Sequence, residues 1–86
     1  MMKSKELLES IVSAIVSNRP AVYVEHKIDD MGVLLTLHVA REDMGKIIGK
    51  EGTTAKAIRT ILRAVGMTEN ARINMKIAEP EGDRTL

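Results

Sequence analysis

The chain contains no cysteine and only one aromatic residue, Tyr23, among its 86 residues. The lack of cysteine excludes a disulfide framework and a cysteine-based zinc site. Proteins that stack nucleic-acid bases on aromatic side chains need several exposed rings, which this chain does not have. Any contact with nucleic acid is therefore expected to depend on the backbone and on cationic and aliphatic side chains.

Long apolar runs are also missing, and no stretch approaches the roughly 20 residues of a membrane span. The N-terminal residues 1–9 are mixed in charge and do not have the basic-then-apolar order of a signal peptide. A cytoplasmic protein without membrane insertion is expected. A chain of this length forms one small domain with a thin core, which a dimer interface would supplement.

The net charge is only +1, but the charge is unevenly distributed along the chain. Residues 44–63 have a local balance of +4, so that the rest of the chain sums to −3. A basic segment on an otherwise acidic body predicts one surface that faces an anion. The basic residues of this segment are Lys46, Lys50, Lys56, Arg59 and Arg63.

Alternation of apolar and polar residues predicts three strands and therefore a three-stranded sheet. The first strand is expected to direct Val22, Val24 and Ile28 towards the core. Leu34, on the outer face of the second strand, indicates that this strand is central. A turn at 29–32 joins these two strands. The predicted strands cover residues 22–28, 33–40 and 71–78.

Apolar residues spaced three and four apart predict three helices. Asn18-Arg19-Pro20 ends the first, Asp43 is expected to cap the second, and Gly66 is a natural stop for the third. The predicted helices cover about 3–17, 44–48 and 53–65.

The resulting order of elements is α-β-β-α-α-β, which indicates an α+β fold. A single domain is expected at 1–78. Residues 79–86 are polar and include proline and glycine, so that a flexible tail is expected there.

The turn Gly49-Lys50-Glu51-Gly52 lies between the second and third helices and directly follows two isoleucines. Glycine at each end permits dihedral angles that other residues resist, and it lets a ligand approach the main chain. The turn leads into a helix N-terminus, where amide groups and the helix dipole favour an anion. A phosphodiester backbone is the simplest ligand for such a turn, and an ordinary interhelical turn is the alternative.

The residues that flank this turn are predicted to form a narrow aliphatic floor. The bases of a single-stranded nucleic acid would be desolvated against it. Ile47 and Ile48 would contribute from before the turn, and Thr54, Ala55 and Ile58 from after it. The three isoleucines are also expected to pack partly in the core, because the groove above this floor is an exposed edge of the core.

Lys56, Arg59 and Arg63 are three and four residues apart and form one stripe on the third helix. At about 100° per residue, this stripe lies nearly opposite the apolar face of the helix. It is therefore expected to face solvent and to attract RNA at long range. A solvated helix face without function is the alternative.

Enzymatic and metal chemistry are not supported by the sequence. The segment from Gly45 to Glu51 has three residues between its glycines, whereas a P-loop has four, followed by Lys and then Ser or Thr. His26 and His38 fall on different strands with no acidic or cysteine companion at ligand spacing, so no metal site is expected. We expect a protein that is not an enzyme and has no cofactor.

Residues 45–52, with the sequence GKIIGKEG, resemble the I-G-x-x-G signature loop of KH domains. The additional helix and strand before the core resemble the type II arrangement found in bacteria. The continuation at 55–61, the short length and the absence of cysteine are similar to the bacterial KhpA family. The resemblance covers about residues 3–78 and implies a type II KH domain, with helices packed on one face of the sheet.

This resemblance implies a small cytoplasmic RNA-binding protein that acts as an RNA chaperone. It also implies a homodimer and a larger KH-containing partner, KhpB (Jag), with roles in gene regulation, cell shape and cell-wall and cell-envelope homeostasis. The loop would clamp single-stranded RNA, and the aliphatic groove would hold about four nucleotides. The residues expected to contact RNA are Lys46, Ile47, Ile48, Gly49, Lys50, Glu51, Gly52, Thr53, Thr54, Lys56, Ile58 and Arg59.

The chain departs from the pattern of the family in two ways. Glu51 occupies a tip position that is more often uncharged or basic, and Thr53-Thr54 replace a basic-then-aliphatic pair. An anion at the tip is expected to weaken the hold on phosphate. The alternative function is therefore a dimerising protein-interaction adaptor, for which RNA binding is weak or secondary.

Overall fold

The structure is a computed structural model that describes residues 3–78, and the tail predicted at 79–86 lies outside the described residues. The elements follow the order α-β-β-α-α-β, as the periodicity of the sequence predicts. Short 3₁₀ turns at Arg19–Ala21, Arg41–Asp43 and Lys50–Gly52 connect them. The helices and strands are α1 (Lys3–Ser13), β1 (Tyr23–Asp29), β2 (Gly32–His38), α2 (Met44–Ile48), α3 (Thr53–Thr68) and β3 (Ile73–Ile77).

The three strands form one mixed sheet in the order β1-β2-β3. β1 pairs antiparallel with β2, with Val24 opposite Leu37, and Asp29 accepts a hydrogen bond from the Met31 amide in the connecting turn. β2 pairs parallel with β3, with Leu35 opposite Met75. α2 and α3 lie between β2 and β3 in the chain and supply the crossover connection that a parallel pair needs. The prediction that the second strand is central is confirmed.

The core lies between the sheet and the helices, which pack on one face of it. α1 packs against β1, and α3 packs against β3. From the central strand, Leu35 and Leu37 have no exposed surface, as expected from their alternation. The buried apolar core consists of Leu8, Val12, Val16, Val24, Leu35, Leu37, Val39, Ile47, Ile58, Leu62, Ile73 and Met75.

The helices cover only the beginning of β1. Val24 is the only residue of this strand that is buried. Ile28 was expected to face the core, but 65% of it is exposed. It lies near the turn of the β1–β2 hairpin, opposite the half-buried Val33, where the helices do not cover the strand.

α1 ends four residues before the predicted boundary, at Ser13. The chain from Ala14 to Val16 continues with helix-like hydrogen bonds, since the Val16 amide donates to the Val12 carbonyl at 3.0 Å. Val16 still reaches the core. The apolar spacing therefore persists beyond the regular helix, which explains the longer prediction.

The prediction that Gly66 ends α3 is wrong. Gly66 lies buried within the helix. The Ala71 amide returns to donate to the Gly66 carbonyl at 2.8 Å. A Cβ atom at Gly66 would lie 2.5 Å from the Ala71 carbonyl oxygen. Glycine is thus needed there for the close approach of the returning chain. The helix ends at Thr68, and Asn70, with φ of 59°, turns the chain towards β3.

Candidate nucleic-acid interface

The loop between α2 and α3 contains three residues with left-handed backbone conformations. Gly49 follows the last residue of α2 with φ of 55° and ψ of −170°, a region that essentially only glycine occupies. Its amide donates to the Gly45 carbonyl at 2.7 Å, which ends the short helix. Gly52 has φ of 68° and ψ of 22°. Both glycines therefore stand where the loop needs positive φ.

Glu51 adopts the same left-handed conformation without being glycine, with φ of 59° and ψ of 19°. A residue with a Cβ atom is strained there by roughly 1–2 kcal/mol. The residue is exposed, so that its carboxylate faces solvent at the tip of the loop. The loop therefore places one anion beside the N-terminus of α3.

α3 is 16 residues long and begins directly after the loop. Its N-cap residue is Gly52, which has no side chain to accept hydrogen bonds from the first amide groups of the helix. A Cβ atom at Gly52 would meet no other atom within 4 Å, so the space in front of this residue is open. An anion that approached here would meet the positive end of the helix dipole.

The predicted aliphatic floor lies only partly at the surface. Ile47 and Ile58 belong to the core and have almost no exposed area, so that they support the floor from beneath. Ile48 is 44% exposed and provides an apolar surface immediately before the loop. After the loop, Thr53 is exposed and Thr54 is half-buried. The accessible surface at the loop thus combines backbone, Ile48 and two threonines.

Lys46 contacts the chain that follows α1 rather than standing alone beside the loop. Its ammonium group donates to the Ser17 hydroxyl and lies 3.3 Å from Oδ1 of Asp43. This arrangement joins α2 to the chain that follows α1. The charge of Lys46 is therefore partly neutralised before any ligand binds.

Asp43 lies at the centre of this connection, and none of its surface is exposed. It was expected to cap the second helix, but it makes no side-chain hydrogen bond at that cap. Its carboxylate instead accepts hydrogen bonds from the amides of Ser17 and Asn18, each at 3.0 Å. The reason is tertiary: the chain after α1 brings two amides to a buried carboxylate whose other partner is Lys46, and a buried charge needs such hydrogen bonds.

The pKa of Asp43 is lowered from its usual value of 3.8, first by the Ser17 and Asn18 amides and then by Lys46. A carboxyl group whose pKa is lower in the folded state stabilises the fold above its unfolded pKa. That stabilisation is lost as the pH falls from 3.8 through the folded pKa. The connection between α1 and α2 is therefore expected to weaken in acid.

We predict that Asp43→Asn destabilises the domain at pH 7, since a neutral amide cannot accept two amide hydrogen bonds and pair with Lys46 as a carboxylate does. The difference in unfolding free energy between the two proteins should shrink as the pH falls below 3.8. Urea unfolding at a series of pH values measures it. A difference that stays constant with pH would contradict this role of the carboxylate.

The basic stripe on α3 is exposed along its length, as its helical spacing predicts. Arg59 and Arg63 also line a groove between α3 and β3, which Lys56 does not. Arg72, in the connection between these elements, lines the same groove. Periodicity does not predict this shared groove, because Arg72 follows Arg63 by nine residues and lies beyond the turn after α3.

Two further properties concern the described part of the chain, residues 3–78. Within it, no group of three or more histidine, cysteine or acidic side chains is arranged to hold a metal ion. No helix in the same region has the length and apolar character needed to cross a membrane.

The order of elements, the parallel β2–β3 pair and the glycine-bounded loop between α2 and α3 together define a KH domain of type II. Residues 5–77 match the family described as KhpA/KhpB, KH domain. The chain belongs to this family.

Curated relatives align with nearly their whole length. The chain is 44% identical over 73 residues to the RNA-binding protein KhpA of Clostridium acetobutylicum, with 85% of this chain and 97% of the relative covered. It is 40% identical over 75 residues to the RNA-binding proteins KhpA of Listeria monocytogenes and Chlamydia trachomatis. These alignments cover 87% of this chain and 99% and 96% of the two relatives. No solved structure matches the chain.

Proposed function

We propose that this chain is a non-catalytic RNA-binding protein that holds single-stranded RNA at the loop of residues 49–52. The observation that carries the proposal is the open N-terminus of α3 behind two left-handed glycines. Its relatives bear the name RNA-binding protein KhpA, which supports RNA as the ligand.

In this proposal a phosphate group lies in front of Gly52, against the first amides of α3. The helix dipole and the charge of Lys50 attract it, and the open space at Gly52 lets it approach the main chain. Thr54, in the first turn of α3, would offer a hydroxyl group beside this position. The exposed carboxylate of Glu51 repels the phosphate, so that each site binds weakly.

The bases would lie across the apolar surface at Ile48, with the side chains of Ile47 and Ile58 beneath it. Since the chain has one aromatic residue, this surface must desolvate the bases without stacking them on rings. Polar groups at the edge would read the base edges. Lys56 and Arg59 would approach the strand from α3, whereas Lys46 contributes chiefly through its bonds to Asp43 and Ser17.

The finer functions follow from the resemblance to KhpA proteins and belong to the same proposal. They are an RNA-chaperone role in the cytoplasm, homodimerisation, and joint action with a KhpB-like partner in gene regulation and cell-envelope homeostasis. Two weak sites in one dimer would bind a single RNA more tightly through their effective concentration. Residues 1–78 would form the binding domain, and residues 79–86 a tail.

The dependence of binding on salt tests this proposal. With about three to four phosphate contacts, a rise from about 50 to about 200 mM salt should weaken binding of a labelled single-stranded RNA by roughly 20- to 50-fold. Fluorescence anisotropy measures the affinity, and a duplex of the same sequence, which should bind more weakly, is the control. Binding that is insensitive to salt would contradict a phosphate-dominated site.

The second candidate, a dimerising adaptor with secondary RNA binding, is favoured by one observation, the exposed Glu51 at the tip of the loop. The two functions differ in what the loop does. If the chain is an adaptor, its mass in solution should show a stable dimer while single-stranded RNA binds no better than the duplex control.

A further inference from the structure

β1 is an edge strand, and within the described residues 3–78 no other strand pairs with its outer edge. It pairs with β2 over seven consecutive residues, without a bulge, and contains no proline. Proteins commonly protect an edge with a bulge, a proline or charged side chains, because its free amide and carbonyl groups can pair with another chain. The charged side chains of Glu25, Lys27 and Asp29 are the protection that β1 has.

The β1–β2 hairpin determines which backbone groups face this edge. Asp29 and Gly32 close a two-residue turn, and such closing residues form a hydrogen-bonded pair. Hydrogen-bonded pairs alternate along an antiparallel ladder, so that every second residue, counted back from Asp29, bonds to β2. The amide and carbonyl groups of Val24, His26 and Ile28 therefore point away from β2, towards the free edge.

The helices cover one end of β1 and leave the other end uncovered. Val24 is buried and Ile28 is exposed, although both lie on the same face of the strand. If two copies of β1 paired antiparallel, the uncovered end of one strand would lie beside the covered end of the other. The exposed isoleucine of each copy would then be covered by its partner.

We propose that two copies of this chain associate through their β1 strands, antiparallel and centred on His26. The inference rests on the homodimer of the proposed function and names the surface that forms it. In this register Val24 lies opposite Ile28 of the partner subunit, and all seven residues of each strand are paired. The residues that face the edge then meet each other and exchange about six backbone hydrogen bonds.

The resulting dimer has the closed two-fold symmetry that is commonest among homo-oligomers. Its two-fold axis passes between the two copies of His26, perpendicular to the sheet. The two three-stranded sheets become one sheet of six strands, with the helices of both copies on the same face. The loops of residues 49–52 remain outside this interface.

The charges of β1 favour this register over its neighbours. Glu25 and Lys27 lie on the open face of the sheet, one on each side of His26. With His26 at the centre, each glutamate lies opposite the partner's lysine, at a position where the side chains of an antiparallel pair approach most closely. A pair centred on Glu25 or on Lys27 would instead place like charges directly opposite each other, which is destabilising.

Within its own chain, Glu25 is not occupied by a strong ion pair. Its Oε2 atom lies 3.6 Å from Nε2 of His38, and 55% of its side chain is exposed. The carboxylate is therefore accessible to a lysine of the partner.

The test exchanges the two charges. Lys27→Glu alone and Glu25→Lys alone each place like charges across the two-fold axis, so that each variant should dimerise about tenfold more weakly than the wild type. An equimolar mixture of the two variants brings opposite charges together again and should form a heterodimer about as stable as the wild-type dimer. The double variant Glu25→Lys/Lys27→Glu should also dimerise to within about threefold of the wild type. Analytical ultracentrifugation over a range of concentrations measures the dissociation constants.

Lys76→Glu is the matched control, because it reverses the same charge at an exposed residue of β3, the other edge strand. Its dimerisation should be unchanged. A loss in the two single variants no greater than in this control would overturn the inference, as would a charge exchange that does not restore the dimer. Circular dichroism checks that each variant folds.

RNA binding is measured separately, with a single-stranded RNA of about 5 nucleotides, which one loop can hold. The substitutions lie outside the loop, so the single variants should bind this RNA to within about twofold of the wild type. A wild type that dimerises through β1 but binds no RNA would overturn the proposed RNA binding and uphold the inference. A wild type that remains a monomer would overturn the inference and the homodimer, and would leave RNA binding at the loop standing.

Discussion

Replacement of Gly32 by alanine is expected to destabilise the domain by about 3 kcal/mol or more. Gly32 has φ of 126°, a conformation that a residue with a Cβ atom rarely adopts. The added Cβ would also lie 2.3 Å from the Arg72 carbonyl oxygen. That oxygen accepts a hydrogen bond from the Val33 amide at 2.8 Å, which joins the start of β2 to the start of β3. Relief of the clash must therefore disturb the parallel pair.

A small domain has a total stability near the lower end of about 5–15 kcal/mol, so a loss of this size leaves a substantial unfolded fraction. Urea unfolding followed by circular dichroism measures it. Gly45→Ala is the matched control, since a Cβ atom there would meet nothing within 4 Å and the residue lies in α2. That variant should be unchanged or more stable by up to about 1 kcal/mol. Equal stability of the two variants would refute this role for Gly32.

The double variant Lys50→Asp/Glu51→Asp should bind single-stranded RNA roughly 10- to 150-fold more weakly than the wild type. Loss of one charge-assisted hydrogen bond to phosphate, which contributes about 1.5–3 kcal/mol, weakens binding by this factor. Both glycines remain, and aspartate tolerates the left-handed conformation of Glu51 better than most residues do. Folding and oligomeric state should therefore be preserved, which circular dichroism and the mass in solution check.

Glu51→Gln provides a control with the opposite expected sign. Removal of the carboxylate from the tip keeps the shape of the side chain but ends its repulsion of phosphate, so the affinity for RNA should rise by a few-fold. Fluorescence anisotropy with one RNA compares all three proteins. RNA binding that is unchanged in both variants would show that the loop does not hold the strand.

The order of elements could be predicted from the sequence, because each helix and strand has an apolar face with its own period. Burial is predicted by the alternation of Leu35 and Leu37 in the strand and by the spacing of Ile58 and Leu62 in the helix. All four side chains are buried in the structure. The resemblance of residues 45–52 to a KH loop was likewise a local property. Such features need no knowledge of distant contacts.

The features that could not be predicted depend on contacts between distant parts of the chain. Glycine is typical of a helix end, but at position 66 it is required because the Ala71 carbonyl oxygen approaches it closely. Asp43 has the position of a helix cap, but its partners are the amides of Ser17 and Asn18. For both residues, the partners that explain their presence are distant in the chain and differ from those that a local pattern predicts.

In the candidate site, too, local backbone features could be predicted from the sequence, whereas features that depend on distant contacts could not. Positive φ at Gly49 and Gly52 agrees with the reason given from the sequence for glycine there. The depth of Ile47 and Ile58 depends on how α2 and α3 pack on the sheet, which periodicity alone does not determine. The groove that Arg72 shares with Arg63 likewise required the path of the chain after α3.

The most direct measurement is an NMR titration of the wild-type protein with single-stranded RNA, in which each backbone amide reports its own environment. If the loop holds the strand, the largest shifts should occur at residues 49–54, with smaller shifts near Ile48. Shifts that saturate on the open face of the sheet, around Tyr23 and His38, while the amides of Gly49 and Gly52 stay unchanged, would contradict RNA binding at the loop.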